Sequence, residues 1–448
     1  MKTFIYITAV LLLSATSIPA QQITSSGRAT STGIVVVGNP TVPTGLEAIH
    51  TALLTAATSY QITINKLWTG TKYSGLRIGA ELTTIDNPAS LTPSYWTSTV
   101  SKQLAAFESM GMRAIKIQAF PVVFYQNTGG GPTDYYTFLS DTSYSNRMSV
   151  YTSLGTALAT WNSGHPSQSI KLICQTGPWP SQNASTNGAD QTYYDSLSTA
   201  QYTSMIAQGT VAVMNTLPCD YINISPEPSN EGSKVGKSFS NSDITTMVSS
   251  TITALEGASI TGLHTTRLVV AGFGTWATSP WLTNWTSLPT GAGGIDGVDL
   301  HVHAADSRTY LDAILSAATT ILASGKFISF DEEDPDPCLQ PCGVLPTQTD
   351  QNKNFGRVFN DVFIAYATVL INTAHYLQAP YFSWGFPNSF FARLDYYTST
   401  TCITNPAAAP TTGQVSACAG LINPLVFANM TSPPTLTPFG TYYQSLLQ

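Results

Sequence analysis

The feature that most constrains this chain is an eightfold alternation of short apolar runs with longer segments of helical periodicity. The apolar runs are rich in β-branched residues and have the length of short strands. They occupy residues 76–80, 114–118, 171–174, 221–225, 268–271, 298–302, 327–330 and 381–384. Strands that alternate with helices predict a parallel sheet, and eight such units predict closure into a (β/α)8 (TIM) barrel of the α/β class.

The helical segments support this prediction because their apolar residues recur at spacings of three and four. They cover residues 95–110, 149–161, 202–217, 244–255, 310–323 and 355–376, and another helix is predicted within 45–68. An open doubly wound sheet is the alternative fold. No Gly-x-Gly-x-x-Gly turn follows the first strand, so the sequence gives no support to a dinucleotide-binding sheet.

The N-terminus predicts export. Lys2 precedes an apolar run over residues 4–13, and the segment ends on the small residue Ala20, which is the layout of a cleavable secretory signal over residues 1–20. We expect residues 21–73 to form an N-terminal extension, partly disordered and with one helix. Residues 74–448 are then a single catalytic barrel domain with long loops after its strands.

Six cysteines fit an exported protein, in which pairing is the default. Cys402 and Cys418 bracket a loop and are predicted to bridge it. Cys338 and Cys342 are predicted to form a local bridge, because no further Cys or His nearby completes a zinc site. The remaining two, Cys174 and Cys219, lie beside consecutive strands. The sequence is consistent with a disulfide between them and also with two buried thiols.

Charge narrows the range of partners. Charged residues make up 10% of the chain, the formal charge is −7 and the pI is about 5.3. A negative protein is a poor partner for nucleic acid or for an anionic membrane surface. A neutral, hydroxyl-rich ligand such as a carbohydrate fits better, and we expect a monomer without a cofactor.

The glutamates single out a site. Only eight are present, and five of them lie at or just past the ends of the first, fourth and seventh strands: Glu81, Glu227, Glu231, Glu332 and Glu333. Catalytic groups of such barrels lie at the carboxyl ends of the strands. Two carboxyl groups that face each other across the barrel mouth suit glycoside cleavage, one as the acid and the other as the nucleophile.

Glutamates after strands 4 and 7, with an aromatic residue at strand 8, resemble the clan A superfamily of retaining glycoside hydrolases. Pro226-Glu227-Pro228 is similar to the Asn-Glu-Pro that this clan carries after strand 4. The resemblance implies that Glu227 is the acid/base and Glu332 the nucleophile. It also implies retention of configuration, with the two carboxyl groups about 5 Å apart.

The same resemblance implies sugar contacts. It maps the clan's sugar-stacking tryptophan of strand 8 onto Trp384 and its histidine of strand 6 onto His301 or His303. Trp179, Trp276, Trp281 and Trp285 also follow strands, which is typical of an aromatic platform for sugar rings. Glu81, Gln118 and Asn230 are further candidates for sugar hydrogen bonds. Each of these residues has a structural alternative, as a packed ring or as a satisfied interior polar group.

One departure from the clan pattern keeps the assignment of the acid open. Pro226 stands where the clan has an asparagine that binds the sugar 2-hydroxyl, and proline has no side-chain donor. Asn230-Glu231 is an intact Asn-Glu pair four residues later, so Glu231 is the alternative acid. Glu333 is the alternative nucleophile. We favour Glu227 and Glu332 because they lie nearer their strand ends.

Two metal sites are the alternatives to these roles. The acidic run over residues 331–336 has oxygen ligands for calcium but lacks a glycine-centred loop. His301 and His303 resemble the metal pair of amidohydrolase barrels, but that pair belongs on the first strand, and only His375 follows them. We therefore predict no metal.

These features together predict a secreted retaining O-glycosidase acting on a polysaccharide or oligosaccharide, with a β-linked substrate expected. Two alternatives stay open: a transglycosidase that uses the same residues, and a non-catalytic carbohydrate-binding barrel.

Overall fold

The computed structural model describes residues 47–178, 188–303, 308–333, 360–385, 387–391 and 426–447. All eight predicted strands are present, and each pairs in parallel with the next to close a barrel in the order β1 to β8. They are β1 Arg77–Glu81, β2 Ala114–Gln118, β3 Lys171–Gln175, β4 Tyr221–Asn223, β5 Leu268–Gly274, β6 Gly297–His301, β7 Phe327–Glu333 and β8 Tyr381–Trp384. The (β/α)8 prediction is confirmed.

A helix follows each strand on the outside of the barrel. These eight are α1 Ser101–Met110, α2 Tyr144–Gly164, α3 Thr199–Thr216, α4 Asn241–Gly257, α5 Trp281–Ser287, α6 Thr309–Ala323, α7 Asn360–Tyr376 and α8 Pro438–Leu446. The periodicity located six of them, whereas α5 and α8 are too short to show it clearly. Further helices lie in the loops: Pro93–Tyr95, Pro121–Phe124, Tyr135–Leu139, Gly188–Ser196, Glu231–Lys234 and Asn388–Phe391.

Local sequence signals set several helix ends. Ser198 and Ser240 each begin a helix with a reciprocal capping box, which satisfies amide groups that the first turn leaves unpaired. Gly111 ends α1 with a φ of 93°, a left-handed conformation that suits glycine. The strands and helices therefore begin and end where the residues favour it.

The predicted N-terminal helix is present as Glu47–Leu67 and packs against α7. His50 lies 2.9 Å from both carboxylate oxygens of Asp361 at the start of α7. Residues 1–46, with the predicted signal segment, lie outside the described residues. Within the described residues, no helix has the length and apolar character needed to cross a membrane.

The apolar core lies mainly between the strands and the helices. Inside the barrel, a small apolar layer of Ala114, Ile173 and Tyr381 closes the amino-terminal end. Above it, towards the carboxyl ends of the strands, the buried residues that face inward are polar. The interior is thus an apolar floor beneath a polar mouth, which places the candidate site at the carboxyl end.

Two long-range links secure the barrel. Cys174 in β3 and Cys219, just before β4, form a disulfide with a Cα–Cα distance of 5.8 Å, which decides between the two alternatives for this pair. The other four cysteines lie outside the described residues. At the seam, β1 pairs with β8, and the Tyr443 hydroxyl of α8 donates to the Gly79 carbonyl of β1.

Candidate active site

The candidate site is built from alternate positions along the strands. Because successive strand residues point to opposite faces, one side chain in two enters the barrel. The inward-facing polar residues that contact one another are Lys116, Gln118, Gln175, Asn223, Asp299, His301 and Asp331. Most of them are fully buried, so they form a water-excluded network directly below the mouth.

A β-bulge in β7 sets which of its acidic residues enters this network. Between Phe330 and Glu333 the strand advances three residues, while β8 advances two from Phe382 to Trp384. Such an extra residue re-aims the side chains around it. Both Asp331 and its neighbour Glu332 consequently contact residues inside the barrel, although consecutive strand residues normally alternate.

Glu332 is held as a carboxylate. Its Oε2 accepts hydrogen bonds from Lys116 Nζ at 2.9 Å, Gln175 Nε2 at 3.1 Å and, weakly, Gln118 Nε2 at 3.5 Å. The side chain is 19% exposed. Burial raises the pKa of Glu332, but the Lys116 ammonium outweighs it and brings the pKa to about 2.

Lys116 is the counterion at the centre of β2. It is fully buried and also donates to Glu81 Oε1 at 2.8 Å. The Glu332 and Glu81 carboxylates raise the pKa of Lys116 despite its burial, so it remains charged. Burial raises the pKa of Glu81 to about 7, which Lys116 partly offsets. The Glu81 carboxyl group therefore has its hydrogen-bond partner, Lys116, inside the barrel. This is the structural alternative to a sugar contact.

Glu227 follows β4 and is surrounded by donors. Its Oε2 accepts from Asn230 Nδ2 and Lys234 Nζ, each at 3.1 Å. Its Oε1 lies 3.2 Å from His301 Nδ1 and 3.6 Å from His303 Nε2. Burial raises the pKa of Glu227, but Lys234 and the two histidines outweigh it and hold the pKa well below its usual range.

His301 lies between Glu227 and two buried aspartates. Its Nε2 lies 2.6 Å from Asp331 Oδ1 and 3.3 Å from Asp299 Oδ2, while its Nδ1 faces Glu227. Gln175, which donates to Glu332, lies 3.2 Å from the same Nε2. Although burial lowers the pKa of His301, the two aspartates raise it well above 6.5, which favours the imidazolium form of the ring.

The alternative glutamates lie in other surroundings. Glu231 begins the short helix Glu231–Lys234 and accepts from the Tyr202 hydroxyl of α3 at 3.0 Å. Burial raises its pKa to about 7. Glu333 is fully buried and accepts from the Val302 amide at 2.9 Å, and burial raises its pKa well above 4.5. Both are less exposed than Glu227 and Glu332.

Among the predicted aromatic contacts, Trp276 is the one at the network. It lies on the turn Thr275–Ala277 after β5, is partly exposed, and its ring is 5.0 Å from that of His303. Trp281 and Trp285 are packed in the core, and Trp179 lies outside the described residues.

Trp384 does not lie where the expected stacking on a sugar ring requires it. It is fully buried on the helix side of β8, with its ring 5.9 Å from Phe363, 5.0 Å from Phe439 and 6.1 Å from Tyr443. The strand pleat sends Trp384 towards the helices, so neither face of the ring is open to a sugar. We therefore leave it out of the proposed binding set.

Two groups of ligand-type atoms come close enough to hold a metal ion, Glu227 with His301 and His303, and Asp299 with His301 and Asp331. In the first group, Lys234 already supplies a positive charge 3.1 Å from Glu227, and a second cation there would be repelled. In the second, His301 Nε2 forms ion-pair contacts with Asp331 Oδ1 at 2.6 Å and with Asp299 Oδ2 at 3.3 Å. Both groups are thus clusters of ion-pair contacts around His301.

Sequence reasoning missed several members of the network: Lys116, Gln175, Asn223, Lys234, Asp299 and Asp331. The sequence did contain a signal for Lys116. Lys116 interrupts the apolar run of β2 at a central position, and a charged residue inside a short buried strand points into the barrel with a partner. Lys234 lies on a loop turn, where no periodicity indicates its direction.

No protein-family model matches the sequence, and no curated protein sequence does. Solved structures do resemble it. A Fusarium oxysporum 4-O-α-L-rhamnosyl-β-D-glucuronidase is 12% identical, over 70% of this chain and 64% of its own, with a TM-score of 0.41. A Xanthomonas axonopodis endo-β-1,4-glucanase is 10% identical, over 78% and 99%, with a TM-score of 0.39.

A GH10 endoxylanase from a sugarcane soil metagenome is 12% identical over 75% of this chain and 90% of its own, with a TM-score of 0.39. These three structures are glycoside hydrolases. At these identities and scores, the comparisons assign no role to individual residues of this chain.

Proposed function

We propose that this protein is a secreted retaining glycoside hydrolase that acts on a polysaccharide or oligosaccharide, with a β-linked substrate expected. The observation that carries the proposal is a pair of partly exposed glutamates at the ends of β4 and β7. Glu227 and Glu332 have exposed side-chain fractions of 11% and 19%, and a buried polar network joins them. Two carboxyl groups at the carboxyl end of a (β/α)8 barrel suit glycoside cleavage.

The surroundings of Glu332 support its role as the nucleophile. Lys116 and Gln175 fix one oxygen, and the lowered pKa keeps the group ionised. A carboxylate held in this way attacks the anomeric carbon without first losing a proton. In the same step Glu227 acts as acid for the leaving oxygen, and in the second step it acts as base for the incoming water. Trp276 beside His303 is the proposed aromatic contact for a sugar ring.

The test is hydrolysis of β-linked polysaccharides and aryl glycosides by wild type, Glu332→Gln and Glu227→Gln. We expect Glu332→Gln to lower kcat by at least about 10⁴-fold. Glu227→Gln should lower it by about 10²- to 10⁴-fold on substrates that need a proton. Glu231→Gln, which alters a buried carboxyl that contacts Tyr202, is the matched control and should keep wild-type turnover.

Two further readouts test the retaining route. Azide should rescue Glu332→Gly and give a glycosyl azide of inverted configuration, and NMR of the first product of wild type should show the starting anomeric configuration. Full activity in both Gln variants would contradict the assignment of the site. An inverted first product would contradict retention. Transfer to added sugar in preference to water would identify a transglycosidase, and binding without turnover would identify a carbohydrate-binding barrel.

A further inference from the structure

The contacts of Glu227 disfavour the protonated form that a general acid needs. A general acid has to carry a proton when the glycosidic bond breaks, and the best acid has a pKa near the working pH. Lys234 and Asn230 both donate to the Glu227 carboxylate, and His301 and His303 face its other oxygen. All four contacts favour the ionised form, so Glu227 alone is a poor store for a proton.

His301 is placed to supply it. Its Nδ1 lies 3.2 Å from Glu227 Oε1, and its Nε2 lies 2.6 Å from Asp331 Oδ1. Asp331 is itself fixed, because Asn223 Nδ2 donates to its other oxygen at 2.8 Å. The side chains of His301 and Asp331 are fully buried, so water does not compete for these contacts.

We infer that His301 stores the proton that Glu227 delivers to the leaving group, and that Asp331 holds the resulting imidazolium in place. The inference rests on the proposed function. His301 is then a positioning residue, which acts through Glu227 and does not touch the sugar. This role differs from direct contact with the nucleophile, because the Glu332 carboxylate accepts hydrogen bonds from Lys116, Gln175 and Gln118.

His301 Nδ1 gives its proton to Glu227, and the Glu227 carboxyl gives a proton to the glycosidic oxygen, which keeps the bonding electron pair as the bond to the anomeric carbon breaks. Glu332 forms the new bond to that carbon. In the second half, water attacks the carbon and Glu332 leaves as a carboxylate. The proton of the water passes to Glu227 and returns to His301 Nδ1.

The charges around His301 favour this resting state. The acidic groups that face or lie near it come from three sides of the barrel: Asp299 on β6, Asp331, Glu332 and Glu333 on β7, and Glu227 after β4. The bases nearby are His303, at a ring-centroid distance of 5.9 Å, Lys234, which contacts Glu227, and Lys116, which contacts Glu332. The pKa of His301 is raised while that of Glu227 is lowered, so the proton rests on the imidazole.

The experiment compares two aryl glycosides of one sugar, one with a dinitrophenolate leaving group that departs unprotonated and one with an alkyl-substituted phenolate that needs the proton. His301→Gln should lower kcat on the second by about 10²- to 10⁴-fold, and on the first by less than about tenfold. The basic limb of kcat/KM should move to lower pH, because the acid form then depends on the low pKa of Glu227 alone.

Asp331→Asn is the second variant. It keeps the histidine but removes the charge that holds the imidazolium, so we expect the same dependence on the leaving group and the same direction of pH shift. Asp331→Asn also tests the role of His301 if His301→Gln does not fold. His264→Gln is the matched control, because His264 Nδ1 makes a similar 2.9 Å contact with Asp296 away from the mouth. That variant should keep the wild-type profile.

Equal losses on both substrates, or a basic limb that stays in place in both variants, would overturn the inference. Glu332→Gln separates this failure from failure of the proposed function. If Glu332→Gln abolishes turnover of both substrates while the His301 and Asp331 variants lose activity equally on both, only the role of His301 is wrong. If Glu332→Gln keeps its activity, the proposed function is wrong as well.

Discussion

At the scale of single residues, Lys116 shows how one buried cation determines the state of two acids. It separates Glu81 from Glu332, and each carboxylate lies within 2.9 Å of its ammonium. A buried ion pair contributes little net stability by itself, but removal of one partner leaves an uncompensated charge. Here the cation also keeps the proposed nucleophile ionised.

Lys116→Met tests this role. Loss of the cation should raise the pKa of Glu332, which is about 2 in wild type. Glu332 is active as the carboxylate, which exists above its pKa, so the acid limb of kcat should move to higher pH. We also expect the free energy of unfolding at pH 7 to fall by about 3–5 kcal/mol. A pH–rate profile and denaturant unfolding measure the two effects.

Lys171→Met is the control for this substitution. Lys171 lies on the neighbouring strand and pairs with Asp220 at 2.6 Å, but its side chain is 37% exposed. An exposed pair is worth at most about 1 kcal/mol, so stability and the acid limb should both stay close to wild type. An acid limb that does not move in Lys116→Met would count against Lys116 as the counterion of the nucleophile.

At the scale of elements, the bulge in β7 separates two adjacent glutamates. Glu332 contacts Lys116 and Gln175 inside the barrel, whereas Glu333 accepts from the Val302 amide and is fully buried. A regular strand would place only one of Asp331 and Glu332 in the interior. The bulge therefore allows one strand to supply both the proposed nucleophile and the partner of His301.

Glu332 and Glu333 allow the same substitution to be compared at neighbouring positions. Burial raises the pKa of Glu333 well above 4.5, so below that raised pKa it is protonated and has the shape of glutamine. Glu333→Gln should keep kcat within about threefold and change the unfolding free energy by less than about 1 kcal/mol, because the amide oxygen still accepts from Val302. Steady-state kinetics of Glu333→Gln and of Glu332→Gln measure this difference. An equal loss of kcat in the two variants would contradict the roles assigned to Glu333 and Glu332.

The sequence located elements more reliably than side-chain directions. Runs such as 114–118 and 381–384 matched their strands to the residue, because β-branched and aromatic residues bounded by polar loops carry that signal. Trp384 was misjudged because its direction depends on the register of β8. The contacts of Glu227 were likewise invisible, since Lys234 and Asn230 approach it from a loop whose path no periodicity describes.

At the scale of the whole molecule, the disulfide Cys174–Cys219 closes a loop across 45 residues and connects two strands that lead into the site. Gln175, the residue after Cys174, donates to Glu332. The link therefore restrains the unfolded chain and also steadies the strand that presents this amide. Its main thermodynamic effect should come from the unfolded state.

Replacement of both cysteines by alanine should lower the free energy of unfolding by about 4 kcal/mol, from the chain-entropy estimate for a loop of this length. Denaturant unfolding measures the difference. In a reducing buffer, the difference between wild type and the variant should largely disappear, because wild type then loses the same link. A difference that persists under reduction would assign the effect to packing of the side chains.

The seam between β1 and β8 has a consequence for how the protein is made. Gly79 and Tyr443, which share a hydrogen bond there, are 364 residues apart. At ribosomal rates of roughly 5–20 residues per second, the first strand waits about 20 to 70 s for its last partners. During that time one edge of the nascent sheet has no neighbour, and such edges pair readily with other chains. Cells that produce this protein therefore have to shield an unfinished barrel throughout most of its synthesis.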